Sequence, residues 1–143
     1  MDRGTHQFER VGSMIYIDNI RLRFLLENQD QENLMRVAIL RSLKSDLVLG
    51  DLPTSSVLQP FDPNKVFIYY DKVFNMKDTE TGSGSYTKSK IFREVFKKIK
   101  ARSRFDNSDN VIHGGIYLFV RSDSGAPNHP AISWYSRTVF KDA

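Results

Sequence analysis

Hydrophobic and polar positions alternate along this chain in short runs with the period of a β-strand. Residues 14–26 (MIYIDNIRLRFLL) set Ile20, Leu22, Phe24 and Leu26 on one parity, with Arg21 and Arg23 between them, the signature of a strand with one buried face. Ile15 and Ile17 fall on the opposite parity, which predicts a β-bulge near Asp18-Asn19. In the next run, residues 34–43, Met35, Val37 and Ile39 alternate with Arg36 and Leu40. The polar tract 28–33 between the two reads as a loop, so a hairpin or meander is expected. Residues 66–71 (VFIYYD) form a continuous apolar run rich in β-branched and aromatic side chains, which predicts a short buried strand. Two further runs, 116–120 after Gly114-Gly115 and 131–140 after a turn cluster at 122–130, complete the pattern.

The segments between these runs are of different kinds. Pro53, Pro60 and Pro63 exclude a long helix from residues 46–64 and confine any strand there to an edge, so a structured excursion is expected. Residues 76–88 are Asp, Thr, Glu, Gly, Ser and Lys with almost nothing to bury, and read as an exposed loop. The stretch that follows is ambiguous. Ile91, Phe92, Val95, Phe96 and Ile99 lie at helical spacing, yet Lys98, Lys100, Arg102 and Arg104 share one strand parity, with Val95, Ile99, Ala101 and Phe105 on the other. A helix would scatter those four cations, whereas a strand aims them at one face. The reading is a strand over 94–105, with a helical start allowed. At least six strands and no helix longer than three turns make the fold all-β, a sandwich or barrel, with no internal repeat.

Composition adds bounds. A chain of 143 residues, 40% hydrophobic and 12% aromatic, fits one domain of ordinary size. No apolar run reaches membrane-spanning length, and the N-terminus lacks a signal-peptide pattern, so a soluble chain made in the cytosol is expected. Zero cysteines rule out disulfides and thiolate metal sites. The net charge of +4 is unevenly placed: residues 88–104 hold seven net positive charges, and the remainder is net negative by three.

Catalytic chemistry finds no footing. His6, His113 and His129 form no H-x-H or H-x-x-x-H pair, which removes the common metal signatures, including the histidine pair plus glutamate of a metal-binding cupin-type barrel. There is no G-x-S-x-G elbow, and Gly82-Ser83-Gly84-Ser85 lacks the lysine and setting of a phosphate loop. Asp46, Asp51, Asp62 and Asp71 lack calcium-loop spacing. The expectation is no enzyme, no metal and no cofactor. The basic run differs, because a stripe of Lys and Arg on one strand face can follow backbone phosphates and gain counterion-release free energy. Phe92, Phe96, Phe105 and Tyr86 could stack on unpaired bases, although a strand phenylalanine more often joins the core. Nothing offers a base-reading code.

The ordered series RVGSMIYIDNIRLRF (10–24), MRVAILRS (35–42), KVFIYYDKVFNM (65–76), GSGSYTK (82–88), the basic strand, IYLFVRSD, HP and SRTVFKDA resembles the capsid proteins of small circular Rep-encoding single-stranded DNA viruses, the circovirus and geminivirus-like group. That resemblance implies a single eight-stranded jelly roll of two packed antiparallel four-stranded sheets over 14–143, preceded by a short arm, 1–13. It implies self-assembly into an icosahedral virion of about 60 copies, the simplest closed shell, around single-stranded DNA, with assembly in the host nucleus. Carried over by position, Lys98, Lys100, Arg102 and Arg104, with Lys97 beside them, become the nucleic-acid-binding residues of the inner surface. Loops 46–64, 76–88 and 122–130 become subunit contacts or outer face. Tyr117, Trp134 and Tyr135 are expected subunit-interface anchors, with core positions as the alternative. Such proteins commonly begin with a long Arg-rich arm, whereas only Arg3 and Arg10 precede Val11 here; either the arm lies outside this chain or packaging proceeds without one. Two rival expectations are a non-enzymatic β-sandwich module for single-stranded nucleic acid or glycans, and an enzyme on a jelly-roll barrel.

Overall fold

A computed structural model describes residues 13–45, 47–106, 110–125 and 129–142. The expected arm, with Arg3 and Arg10, therefore lies outside the described residues apart from Ser13, as do Asp46, residues 107–109 and 126–128, and Ala143. The chain forms β1 (Met14–Glu27), β2 (Glu32–Ser42), a single 3-10 turn (Leu49–Asp51), β3 (Val66–Lys77), β4 (Thr79–Gly82), β5 (Ser85–Thr87), β6 (Lys90–Phe105), β7 (Val111–His113), β8 (Ile116–Ser122) and β9 (Ala131–Asp142). Every strand pair is antiparallel. The all-β expectation holds. No helix among the described residues is long and apolar enough to cross a membrane.

The sheets are a four-stranded one in the order β7-β6-β1-β9, a three-stranded one in the order β3-β2-β8, and the separate ribbon β4-β5. Two four-stranded sheets were expected; the second has three strands. The expected hairpin between the first two runs is also replaced. The turn after Glu27 carries the chain from one sheet to the other, and β1 pairs with β6 and β9 rather than with β2. Asn28 fixes that crossing: it is fully buried, accepts from Asn33 Nδ2 at 2.7 Å and donates to Asp78 Oδ1 at 3.0 Å. The polar tract is thus a connecting loop with buried, hydrogen-bonded Asn28 and Asn33 at its ends and exposed Gln31 and Glu32 between them.

The two sheets close over Leu22, Phe24 and Leu26 of β1, Met35, Val37 and Ile39 of β2, Phe74 and Met76 of β3, and Val95 of β6. Phe24 and Phe74 meet edge to face at 5.8 Å. The parity switch in β1 is a real irregularity: register slips between Ile17 and Asn19 against both neighbours, so Ile15 and Ile17 stay inside despite their opposite parity. On β6 the slip falls at Ile99-Lys100, where Lys100 takes φ 50°.

β2 is buried on both faces because the 47–65 excursion covers its outer side. Phe61, Val66, Ala38, Leu40 and Phe119 form a second apolar cluster there. Arg36 ties it down, with Nε and Nη2 on the two oxygens of Asp71 at 2.7 and 2.6 Å, Nη1 donating to Val57 O at 3.0 Å, and its guanidinium 4.3 Å over the Phe61 ring. Arg121 adds bonds to the carbonyls of Pro53 and Thr54. The excursion is structured, as expected. β3 departs from expectation: it runs twelve residues and is an edge strand, with Phe67 and Ile68 exposed. Of the 76–88 stretch, Met76 is buried in the core and residues 79–88 are exposed, but much of it is the β4-β5 ribbon rather than loop.

Candidate functional site

β6 resolves as strand over its whole length, sixteen residues, because it pairs with β1 from Lys90 to Arg104. The helical alternative would have buried Phe92 and Phe96, which are 59% and 50% exposed. Burial along β6 follows the charge parity: Val95, Ile99, Ala101, Ser103 and Phe105 face inward, and Lys98, Lys100, Arg102 and Arg104 face out. Same-face neighbours on a strand are about 6.6 Å apart, a spacing an extended nucleic-acid backbone can follow.

The two strands beside β6 extend this stripe into a surface. Register places Tyr16 between Arg102 and Lys141, Asn19 between Lys98 and Val139, Arg21 between Phe96 and Arg137, Arg23 between Glu94 and Tyr135, and Leu25 between Phe92 and Ser133. On the far side of β6, Arg104 stands opposite His113 of β7. The outer face of the four-stranded sheet therefore carries Arg21, Arg23, Lys98, Lys100, Arg102, Arg104, Arg137 and Lys141, interleaved with exposed Phe92, Phe96 and Tyr135 and the half-exposed Tyr16. Lys141 lies 5.2 Å over the Tyr16 ring.

Carboxylates on this face are few. Glu94 bonds Arg23 at 2.6 Å and lies 3.8 Å from Arg21, and Glu27 lies 3.4 Å from Lys90 at the far end. Asp18 is exposed at the bulge. Among the described residues, no carboxylate pairs with Lys98, Lys100, Arg102, Arg104 or Arg137. Fixed cations beside exposed rings can bind phosphate and stack bases at once.

The expected site residues separate. Lys98, Lys100, Arg102 and Arg104 come together on the face. Lys97 has the opposite parity, is half-buried, and directs its ammonium to within 6.0 Å of the Tyr70 ring. Burial raises the Tyr69 and Tyr70 phenols above their ordinary value while Arg41 and Arg93 pull the other way, so both stay neutral at physiological pH. Phe105 belongs to the core, and Tyr86 is exposed on the ribbon, away from the stripe. Tyr135 joins the cationic face. Trp134 and Tyr117 instead line an apolar cleft of about 330 Å³ between β9 and β8, with Ile116, Leu118, Ser136 and Thr138. All three anchors are exposed, at 67%, 56% and 38%. Among the described residues, no group of three or more His, Asp or Glu could hold a metal ion.

Comparison of the chain with models of protein families, with characterised proteins and with solved structures gives no match. The site therefore stands on its own geometry. Sequence reasoning missed Tyr16, Arg21, Arg23, Arg137 and Lys141. For Arg21 and Arg23 the signal was present, since they alternate with buried Leu22 and Phe24; for the two β9 cations only the register with β1 supplies it.

Proposed function

We propose that this chain is a viral coat protein that self-assembles into a small icosahedral shell and packages single-stranded DNA on the outer face of its β7-β6-β1-β9 sheet. The single observation that carries the reading is the one-sided cationic and aromatic surface, which suits sequence-independent binding of an unpaired strand. Such a chain works in a virion, assembles in a host nucleus and has no enzymatic activity.

Two features of the fold support the shell. The first strand pairs with the last, and the second with the second-last, as in a ribbon rolled up on itself into a jelly roll. In this reading the β3-β2-β8 sheet is a three-stranded variant of the expected four. In addition, β9 is a twelve-residue edge strand with Trp134, Tyr135 and Val139 exposed. A long apolar edge invites further pairing or aggregation unless another surface covers it. Contact with neighbouring copies through Trp134 and Tyr117 meets that need.

The exposed rings of Phe92, Phe96 and Tyr135 favour one second reading, a single-strand-binding module that forms no particle. Electron microscopy of the purified chain, paired with its ultraviolet absorbance ratio, separates the two. Uniform spherical particles with bound nucleic acid are expected. Monomers that bind short oligonucleotides saturably would replace the shell with the module, and monomers without such binding would remove both.

A further inference from the structure

The sheet ends, beyond the stripe, in a recess built from both sheets. Ser103 Oγ donates to Gly114 O at 2.6 Å, drawing the β7-β8 turn onto β6. Gly114 has φ 67°, and a Cβ there would collide with the carbonyl oxygen of Arg102. Only glycine allows this approach. It brings in Arg41, from the end of β2 in the opposite sheet, whose Nε lies 3.6 Å from that same Cβ position. The result is a recess of about 510 Å³ lined by Arg41, Ser45, Arg102, Arg104 and His113, with no carboxylate among its described lining residues.

Arg41 is the unusual member. Its Nε is buried and has no hydrogen-bond partner among the described residues, although its guanidinium lies against the Tyr69 hydroxyl. A buried unpaired N–H is unfavourable, and three arginines line this one recess. An anion with several acceptor oxygens relieves both conditions, and the planar guanidinium fork matches phosphate geometry.

We propose that this recess is a phosphate-binding site in which Arg41, Arg102, Arg104 and the His113 ring contact one phosphate group. It deepens the nucleic-acid reading, on which it rests for the source of the phosphate. That source is either an internal diester of a strand crossing the sheet face or a terminal or free phosphate. Arg41 distinguishes the recess from the stripe, since it belongs to the other sheet.

The test titrates the full chain with inorganic phosphate, followed by phosphorus NMR line width, and with short oligothymidylates with and without a terminal phosphate, followed by fluorescence anisotropy. Arg41→Gln should weaken inorganic phosphate binding about tenfold or more, as loss of a charge-assisted bond does. Lys98→Gln should weaken oligonucleotide binding and leave inorganic phosphate binding as in the wild type. If Arg41→Gln fails to fold, Arg41→Lys keeps the charge but loses the fork and should weaken phosphate binding about threefold or more. A terminal-phosphate preference lost in the Arg41 variant identifies an end or free phosphate as the source, and equal losses for both oligonucleotides identify a diester. Phosphate binding without oligonucleotide binding keeps the recess and removes the nucleic-acid reading. Wild-type phosphate affinity in a folded Arg41 variant, or no phosphate binding by the wild type, overturns the proposal.

Discussion

Glu94 and Arg23 stand directly across from each other on β6 and β1, with Oε2 2.6 Å from Nε. Glu94 is the only carboxylate in β6, and its row lies at the Phe92 end of the cationic face. It therefore holds Arg23, and more loosely Arg21 at 3.8 Å, away from any phosphate. Glu94→Gln should tighten binding of a short oligothymidylate. It should also steepen the dependence of log affinity on log salt by about 0.7, the increment for one added contact to a single strand. Anisotropy titrations over a range of sodium chloride check both. Unchanged affinity and slope would mean that the strand does not cross this row.

Lys100 is strained. Its φ of 50° lies in the left-handed region, which costs a residue with a side chain about 1 kcal/mol or more. The irregularity belongs to the bulge that bends β6 against β1. Lys100→Gly should relieve the strain and raise unfolding stability by about 1 kcal/mol while removing one phosphate contact. Denaturant unfolding and a salt titration of the same variant read the two effects, which should have opposite signs for stability and binding.

Arg36 holds the excursion over β2 through Asp71 and the carbonyl of Val57. Its side chain is only 7% exposed, so removing it leaves Asp71 and buried carbonyls without their donor. Arg36→Met should destabilise the fold by about 2 kcal/mol, as loss of a charged donor to buried carbonyl oxygens does. It should also open residues 47–65 to limited proteolysis before the sheets unfold. Cleavage elsewhere first would show that the excursion does not depend on Arg36.

Asp51 joins the two ends of that excursion, bonding Lys44 at 2.9 Å and Lys65 at 3.0 Å. Lys44, the Val48 N–H and Lys65, in that order, hold its carboxyl well below the ordinary 3.8. A depressed folded-state pKa adds stability that is fully present above the unfolded-state value and is lost as pH falls through the folded one. The wild type should therefore lose stability progressively on acidification below about pH 4. Asp51→Asn should be less stable at neutral pH and show a shallower acid limb. Parallel acid limbs in the two proteins would contradict this assignment.

The parts of the fold legible in the sequence are those in which alternation is local. β1, β6 and the bulge at Asp18 followed from parity, and so did the outward stripe. The division into sheets did not, because the partners of Arg21 are Phe96 and Arg137, both far toward the C-terminal end of the chain. The run VFIYYD carried no mark of an edge strand, since its exposed Phe67 and Ile68 read like core residues. Arg36 alternates with Met35 and Val37 and carries no local mark of burial. Only the excursion folding back over β2 buries it, and no spacing within the chain records that contact.

The most direct test of the central claim is the nucleic-acid content of particles assembled from a chain carrying Lys98→Gln, Lys100→Gln, Arg102→Gln and Arg104→Gln together. The cationic face predicts that particles still form, because the exposed apolar edge of β9 is untouched, and that their ultraviolet absorbance ratio falls toward that of protein alone. Particles with wild-type nucleic-acid content would contradict the assignment of this face.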